Sequence, residues 1–353
     1  MQQYNFLQSY NSGGADSPSL YRMHLSENPN TISSKIKCAI ENELKQAHYY
    51  PDPDCTLLKE KIAKHFKVKP QMVIVGNGTD EVLLLTALAL LGVNKTGLTT
   101  ESTFPGYKVA TALSSASNRF VPMVDFRVSV DKLVEACKNE VNAVFVCNPH
   151  NPTGTTIDKE ELQRLLKETS AIGAVPIIDE AYADFADNSF SSAIPYIRDG
   201  GQAIVMRTFS KSHSIAGLRV GYAIGSEQLI KKVQQVRSAL PFSVNRLAQA
   251  AAIAAIDDIN SLNTKWVNEV KEYFYSEMDR IKISYIRSQT NFVLIKVPGE
   301  NGLFSQRLLK EYKILTRDTT PFGYEGHLRV SMGNYEETQY VCKAIEIIAN
   351  ELR

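Results

Sequence analysis

Short runs of apolar, often β-branched residues recur along the first part of the chain. They occupy residues 72–75, 143–147, 175–178 and 203–206, and each has the length of a strand enclosed in a sheet. Stretches with apolar residues at three- and four-residue spacing, such as residues 158–170, lie between the runs and predict helices. This alternation is typical of a mostly parallel sheet covered by helices, so we predict an α/β fold.

The pattern changes after Gly225, where strand-like runs give way to long helical stretches. Short strands and helices then alternate to the carboxyl end, which predicts a second, smaller α+β domain. We expect residues 1–45 to form an N-terminal arm and part of the small domain. The large domain should span residues 46–245, and the small C-terminal domain should span residues 246–353.

The bulk composition excludes several classes of protein. The chain has 353 residues, enough for two domains with sizeable cores. Lysine and arginine total 39 against 38 aspartate and glutamate residues, so no excess of positive charge indicates a nucleic-acid partner. The longest apolar run, residues 82–93, is too short to span a bilayer, and residues 1–14 lack the apolar core of a signal peptide. We therefore expect neither a membrane nor a nucleic acid as partner.

The five cysteines are scattered, odd in number and never spaced C-x-x-C. This usage favours reduced thiols in a cytoplasmic protein over a disulfide framework or a zinc site. We expect a cytoplasmic location and no bound metal ion.

Polar residues follow three of the predicted strands at the point where each strand ends. Asn151, Asp179 and Lys211 occupy these positions. The carboxyl ends of parallel strands share one edge of a sheet, and ligands bind at that edge. Lys211 stands among small hydroxyl residues and precedes Arg219, so we interpret it as a lysine that forms a Schiff base and Arg219 as an anion clamp. A solvated loop lysine is the alternative interpretation.

Two other segments suggest ligand contacts. The string G-N-G-T-D-E at residues 76–81 follows a predicted strand and opens a helix, an arrangement that binds anions. It is neither a P-loop nor a dinucleotide fingerprint, and Asp80 could simply cap the helix. Phe104, beside Pro105, is either a buried anchor or an aromatic face for a flat ligand. Tyr50, in the Y-Y-P-D-P loop, either packs or presents its phenol to a ligand or a partner subunit.

Taken in order, the motifs identify a resemblance. The set Y-P-D, G-N-G-T-D-E, N-P-T-G, D-E-A-Y, S-K-S and A-G-L-R-V-G-Y resembles that of the fold-type I pyridoxal-phosphate aminotransferases. Within that group the chain most resembles the histidinol-phosphate aminotransferase family, from Glu27 to the L-R-V-S-M-G segment that begins at Leu328. The resemblance implies the fold-type I architecture, pyridoxal 5′-phosphate as cofactor, and ping-pong transamination with a 2-oxo acid, expected to be 2-oxoglutarate.

The resemblance also implies roles for the matching residues. Lys211 would hold the cofactor as a Schiff base and then move the proton between the substrate and the cofactor. Asp179 would pair with the pyridinium nitrogen and keep it protonated. Tyr182 and Asn151 would hydrogen-bond the phenolate oxygen of the ring, while Phe104 would stack on the ring.

The phosphate of the cofactor would be bound by main-chain and side-chain donors of two segments. These are Gly78, Thr79, Asp80, Ser210 and Arg219. By the same resemblance, Tyr50 would reach the phosphate of the neighbouring subunit, which implies a homodimer with shared active sites.

The substrate would be bound by Arg329, whose bidentate fork suits an anionic group, together with Asn28 and Asn151. His150 and Arg317 are further candidates to line the substrate pocket. The amino donor stays open. It is either histidinol phosphate or an aromatic or other amino acid, because Asn30 stands where family members often carry an aromatic residue. The alternatives in function are a related decarboxylase of a phosphorylated amino acid and a non-catalytic domain that keeps the fold. The presence of Lys211 argues against the second.

Overall fold

The computed structural model describes residues 20–138, 140–258 and 264–353. Residues 1–19, the first part of the predicted unit 1–45, lie outside these ranges.

Twelve helices are present in the described ranges. They are α1 (Ser34–Leu44), α2 (Thr56–Phe66), α3 (Gly78–Leu90), α4 (Gly106–Leu113), α5 (Val130–Cys137), α6 (Lys159–Ile172), α7 (Ile194–Arg198), α8 (Glu227–Arg237), α9 (Arg246–Asp257), α10 (Lys265–Arg280), α11 (Asn301–Tyr312) and α12 (Tyr335–Glu351). None of the helices in these ranges is long and apolar enough to cross a membrane.

The strands of the same ranges form two sheets. They are β1 (Tyr21–Met23), β2 (Val73–Gly76), β3 (Thr96–Thr100), β4 (Ser117–Val121), β5 (Ala143–Cys147), β6 (Val175–Asp179), β7 (Ile204–Thr208), β8 (Gly221–Gly225), β9 (Tyr285–Ile286), β10 (Phe292–Lys296), β11 (Ile314–Asp318) and β12 (His327–Ser331).

The large sheet has the strand order β2-β8-β7-β6-β5-β3-β4. All neighbouring pairs from β7 to β4 are parallel, whereas β8 runs antiparallel to both of its neighbours. The prediction of a mostly parallel sheet covered by helices is confirmed. The reversed strand β8 was not foreseen, because its apolar composition is the same as that of a parallel strand enclosed in the sheet.

Both faces of the large sheet are covered, and the alternation along one strand shows this directly. Val144 and Val146 of β5 belong to one hydrophobic cluster, while Ala143 and Phe145 belong to another. Successive side chains of a strand point to opposite faces, so the two clusters lie on the two sides of the sheet. Every residue of β5 is buried, as expected of a central strand.

The small sheet has the order β1-β11-β12-β10-β9, in which only the β1–β11 pair is parallel. One face packs on a cluster that includes Met23 of β1 and Leu328 and Val330 of β12. Because Arg329 lies between the last two, its side chain leaves the opposite face of the sheet. That face is the one turned towards the large domain.

Packing bears on the predicted domain limits at two places. Helix α9 lies against α1 and α2, and its buried alanines share a cluster with the large sheet. The boundary after residue 245 stays a prediction, and this packing favours a later boundary, after α9. The predicted unit 1–45 is divided in the same way, because Met23 joins the small-domain cluster and Ile36 joins the large one.

Candidate active site

Three neighbouring strands of the large sheet, β5, β6 and β7, bring the predicted chemistry to one edge. Asp179 is the last residue of β6, and the loops after β5 and β7 carry Asn151 and Lys211. The strands are parallel and adjacent, so their carboxyl ends open on the same side. The expectation that these three positions share one edge is therefore met by the order of the strands.

Lys211 lies in a partly enclosed position between the two domains. Its Nζ donates a hydrogen bond to the main-chain oxygen of Leu25 at 2.7 Å and lies 5.9 Å from the centre of the Tyr182 ring. Burial, and then the nearby guanidinium of Arg329, lower the pKa of Lys211 to about 8. A lysine with such a pKa is partly neutral near neutral pH and can accept a proton.

Asp179 is a buried carboxylate with two donors. Its Oδ2 accepts from the Tyr107 hydroxyl at 2.7 Å, and its Oδ1 accepts from the main-chain N–H of Ala181 at 3.1 Å. Burial raises the pKa of Asp179 to about 6 despite these donors. Only 7% of the residue is exposed, so a positive charge beside it would further stabilise the ionised form of Asp179.

Tyr107 is a site residue that sequence reasoning missed. It is fully buried, its ring stacks on Phe145, and its hydroxyl binds Asp179 from the start of α4. The sequence signal for it was the F-P-G-Y string, but nothing in that string says which distant carboxylate the phenol meets. The same string contains Phe104, whose ring meets that of Tyr107 edge to face at 5.6 Å.

Arg329 connects the small domain with the loop after β5. It donates from Nη1 to Asn151 Oδ1 at 2.5 Å and from Nη2 to the main-chain oxygen of His24 at 2.6 Å. Its guanidinium lies 4.8 Å from the centre of the Phe292 ring. These contacts hold the arginine beside Asn151, so two of the three residues predicted to bind substrate lie together.

The start of α3 and Arg219 form the predicted anion site. Gly78 has φ +79°, and a Cβ placed there would lie 2.4 Å from Nη2 of Arg219. A side chain at this position would displace the flexible tip of Arg219, and the positive φ itself favours glycine. The same guanidinium binds Asp80 Oδ2 at 2.9 Å. A Cβ on Gly221 would likewise lie 2.6 Å from the main-chain nitrogen of Thr79.

Ser210 completes this group from the end of β7. It is buried, and its Oγ accepts from Thr208 Oγ1 at 2.9 Å while its N–H donates to the same oxygen at 3.1 Å. Thr208 was not among the predicted site residues, although it opens the T-F-S-K string.

Tyr50 and Asn28 are the last two of the predicted site residues, and their surroundings differ. Tyr50 is 77% exposed, and its contacts in its own chain are a stacked ring, Phe242 at 4.6 Å, and a hydrogen bond from Arg246 to its main-chain oxygen. Asn28 donates from Nδ2 to the main-chain oxygen of Ser212 at 3.1 Å. Asn28 therefore contacts the lysine loop directly, whereas Tyr50 presents its ring to solvent in the monomer.

Comparison with known proteins agrees with this arrangement. The family model described as aminotransferase class I and II matches residues 22–345. Histidinol-phosphate aminotransferase 2 of Carboxydothermus hydrogenoformans is 36% identical over 306 residues, which cover 86% of this chain and 83% of that protein. Histidinol-phosphate aminotransferase of Geobacillus sp. (strain WCH70) is 33% identical over 336 residues, with 94% and 91% covered.

Among solved structures, histidinol-phosphate aminotransferase from Sinorhizobium meliloti, in complex with pyridoxal-5′-phosphate, superposes with a TM-score of 0.88. The superposition covers 95% of this chain and 92% of that chain at 23% identity, and it shows the shared fold. The family match spans both domains and every predicted site segment. The chain therefore belongs to the class I and II aminotransferase family, and it is an aminotransferase that depends on pyridoxal phosphate.

Proposed function

We propose that this aminotransferase takes the amino group from histidinol phosphate and passes it to 2-oxoglutarate, with Lys211 carrying the proton. Support for the donor comes from the names of the relatives at 33–36% identity and from one structural feature, a cationic face on the small sheet. Another amine with an anionic group, such as an amino acid, is the alternative donor.

The cationic face consists of arginines that the strand alternation turns away from the small-domain core. Arg317 of β11 lies directly opposite Arg329 of β12 in the antiparallel register. Arg22 leaves the same face of β1 and binds both carboxylate oxygens of Glu27, at 2.9 and 2.8 Å. Arg317 and Arg329 therefore place two guanidinium groups side by side on this face.

An anion that binds to both arginines would be held strongly between them, because guanidinium groups form charge-assisted hydrogen bonds with phosphate and carboxylate groups. A phosphate dianion or a second carboxylate supplies that charge. Both the phosphate of histidinol phosphate and the distal carboxylate of 2-oxoglutarate meet this requirement. The pair therefore favours substrates that carry a strongly anionic group away from the reacting carbon.

The residues fit pyridoxal phosphate at the edge of the large sheet. Asp179, whose pKa burial raises to about 6, is stabilised as a carboxylate by a positively charged ring nitrogen. The first N–H groups of α3 and the guanidinium of Arg219, which packs against Gly78, would bind the phosphate group of the cofactor. Tyr182 and Asn151 would donate hydrogen bonds to the ring oxygen, and Phe104 would cover the ring.

When bound, the cofactor supplies an electron sink that makes the hydrogen on the donor carbon acidic. Lys211 Nζ takes this proton in its neutral form, which the lowered pKa of about 8 makes available. The main-chain oxygen of Leu25, which accepts from Nζ at 2.7 Å, orients the amine. Arg329 fixes the donor through its anionic group, so that the acidic hydrogen faces Lys211.

A homodimer is part of the same proposal. Tyr50, Tyr49 and Phe242 expose large aromatic surfaces close together, and such surfaces mark protein contacts. We expect Tyr50 to reach the phosphate site of the partner subunit. All five cysteines are free thiols, which supports placing the enzyme in the cytoplasm.

The donor is tested with a panel of amines, including histidinol phosphate and aromatic amino acids, each with 2-oxoglutarate. Glutamate formation at the highest kcat/KM with histidinol phosphate is the expected result. Release of CO₂ without glutamate would instead indicate a decarboxylase. Arg329→Gln should raise KM for anionic donors, whereas Arg287→Gln, which breaks a surface ion pair with Glu272, should not.

The role of Lys211 is tested separately by reduction with borohydride. The treatment should fix the cofactor to Lys211 in the wild-type protein and to no residue in Lys211→Ala. Fixation to a different lysine would overturn the proposed function.

A further inference from the structure

The residue that follows the lysine is held from two sides. Ser212 is 1% exposed, and its Oγ donates to Asp184 Oδ2 at 2.5 Å. Its main-chain oxygen accepts from Asn28 Nδ2 at 3.1 Å. A short hydrogen bond to a carboxylate is among the stronger ones in proteins, so the main chain just after Lys211 is fixed.

Asp184 is in turn fixed by a buried charge network. Arg207 of β7 donates from Nη1 to Asp184 Oδ1 at 3.4 Å and from Nε and Nη2 to Glu180 Oε2 at 3.1 and 2.8 Å. The Glu180 side chain is completely buried and also accepts from the main-chain N–H of Ala193 at 2.7 Å. One arginine thus links two acids of the segment that follows β6.

The network ties together two groups on which the chemistry depends. Glu180 directly follows Asp179, and Arg207 lies on the strand that leads into Lys211. The hydrogen bond from Ser212 to Asp184 connects this network to the residue that follows Lys211. The network therefore sets the position of the lysine main chain relative to the carboxylate of Asp179.

We propose that the Asp184–Ser212 hydrogen bond positions Lys211 for proton transfer by fixing the main chain of the lysine, so that Nζ moves through side-chain rotation alone. The proposal rests on the role of Lys211 given above. A group that carries a proton between two atoms must reach both at hydrogen-bond distance, and a misplacement of about 1 Å costs about 100-fold in rate. Asp184 and Ser212 act through Lys211 and are positioning residues.

The test uses Ser212→Ala and Asp184→Asn in the holoenzyme. Both should lower kcat by about 10- to 100-fold and leave KM within about two-fold, because neither the Ser212 hydroxyl nor Asp184 is assigned to the substrate and Asn28 bonds only the main chain of Ser212. The kinetic isotope effect with donor deuterated at the reacting carbon should rise, since proton transfer becomes the slow step. The pH at which the visible absorbance of the Lys211–cofactor link changes should also shift.

Two further variants make the result specific. Ser212→Thr keeps the hydroxyl and should restore most of the rate. Asp187→Asn changes a carboxylate of the same segment that binds Ser189 and Gln289 instead, and should leave both the rate and the isotope effect unchanged.

Wild-type kcat and isotope effect in folded Ser212→Ala would overturn the proposal, as would Ser212→Thr that is as slow as Ser212→Ala. A lower melting temperature with an unchanged isotope effect would show a structural role and would overturn it as well. If Ser212→Ala does not fold, Asp184→Asn, which is nearly isosteric, decides. Failure of the proposed function is distinguishable, because it appears as loss of borohydride fixation at Lys211 in the wild-type protein.

Discussion

Replacing Gly78 by alanine should weaken both the fold and the binding of the cofactor. The new Cβ would lie 2.4 Å from Nη2 and 3.0 Å from Cζ of Arg219, so the guanidinium has to move. Its ion pair with Asp80 is lost in that movement, but the two side chains are 42% and 67% exposed, so the pair contributes less than about 1 kcal/mol. The φ of +79° adds strain of about 1–2 kcal/mol for alanine.

The second effect is loss of the proposed contact between Arg219 and the phosphate of the cofactor. A hydrogen bond to a charged group contributes about 1.5–3 kcal/mol, so the dissociation constant of the cofactor should rise by about 10- to 100-fold. Titration of the apoprotein with pyridoxal phosphate, followed by its visible absorbance, measures this constant. Urea unfolding of the apoprotein measures the effect on the fold.

Gly173 offers a matched control within the same domain. It has φ +91° at the end of α6, and a Cβ there would meet nothing within 4 Å. Gly173→Ala should therefore show the backbone strain without the displacement of Arg219. Equal cofactor affinity in wild type and Gly78→Ala, or an equal loss in Gly173→Ala, would refute the assignment of Gly78 and Arg219 to the phosphate.

Two further predictions concern the buried ionisable groups. Folding lowers the pKa of Lys211 from 10.5 to about 8, because burial disfavours its charged form. The apoprotein therefore loses free energy of unfolding, on the order of 3 kcal/mol, at any pH below 8. This loss shrinks as the pH rises and disappears near pH 10.5. Apoprotein Lys211→Met should thus be more stable than wild type at pH 7, and denaturant unfolding should show the advantage shrinking towards pH 10.5; an advantage independent of pH would contradict this. In Tyr107→Phe the pKa of Asp179 should rise further, because the hydroxyl that stabilises the carboxylate is gone, and the acid limb of the pH–rate profile should move to higher pH. Tyr285→Phe, which removes a surface bond to Asp279, should leave the profile unchanged.

The strand endings could be predicted because their signal is local. Apolar runs mark the enclosed strands, and the polar residue after each run marks its carboxyl end, as at Asn151, Asp179 and Lys211. The glycine-containing start of α3 is local in the same sense. These features gave the fold class, and the ordered motifs added the family, which the comparisons confirm.

The domain limits were harder to predict, because they depend on packing between distant segments. The alanine-rich helix α9 has the composition of either domain, and its contact with α1 assigns it to the large-domain core. The direction of β8 is a similar case, since period and composition are equal for parallel and antiparallel strands that are buried on both faces.

By itself the sequence determined the fold class and the family, and it predicted which residues carry the chemistry: the lysine, the carboxylate, the glycine-rich anion site and the arginines. Only the tertiary structure decided which partner each of them has. Tyr107 meets Asp179 across 72 positions, Lys211 meets Leu25 across 186, and Arg329 meets His24 across 305. The reason is physical. Residue type and spacing fix only the geometry of neighbouring residues in the chain. Contacts between distant segments arise from the order of the strands and from the burial that packs the small domain against the large one.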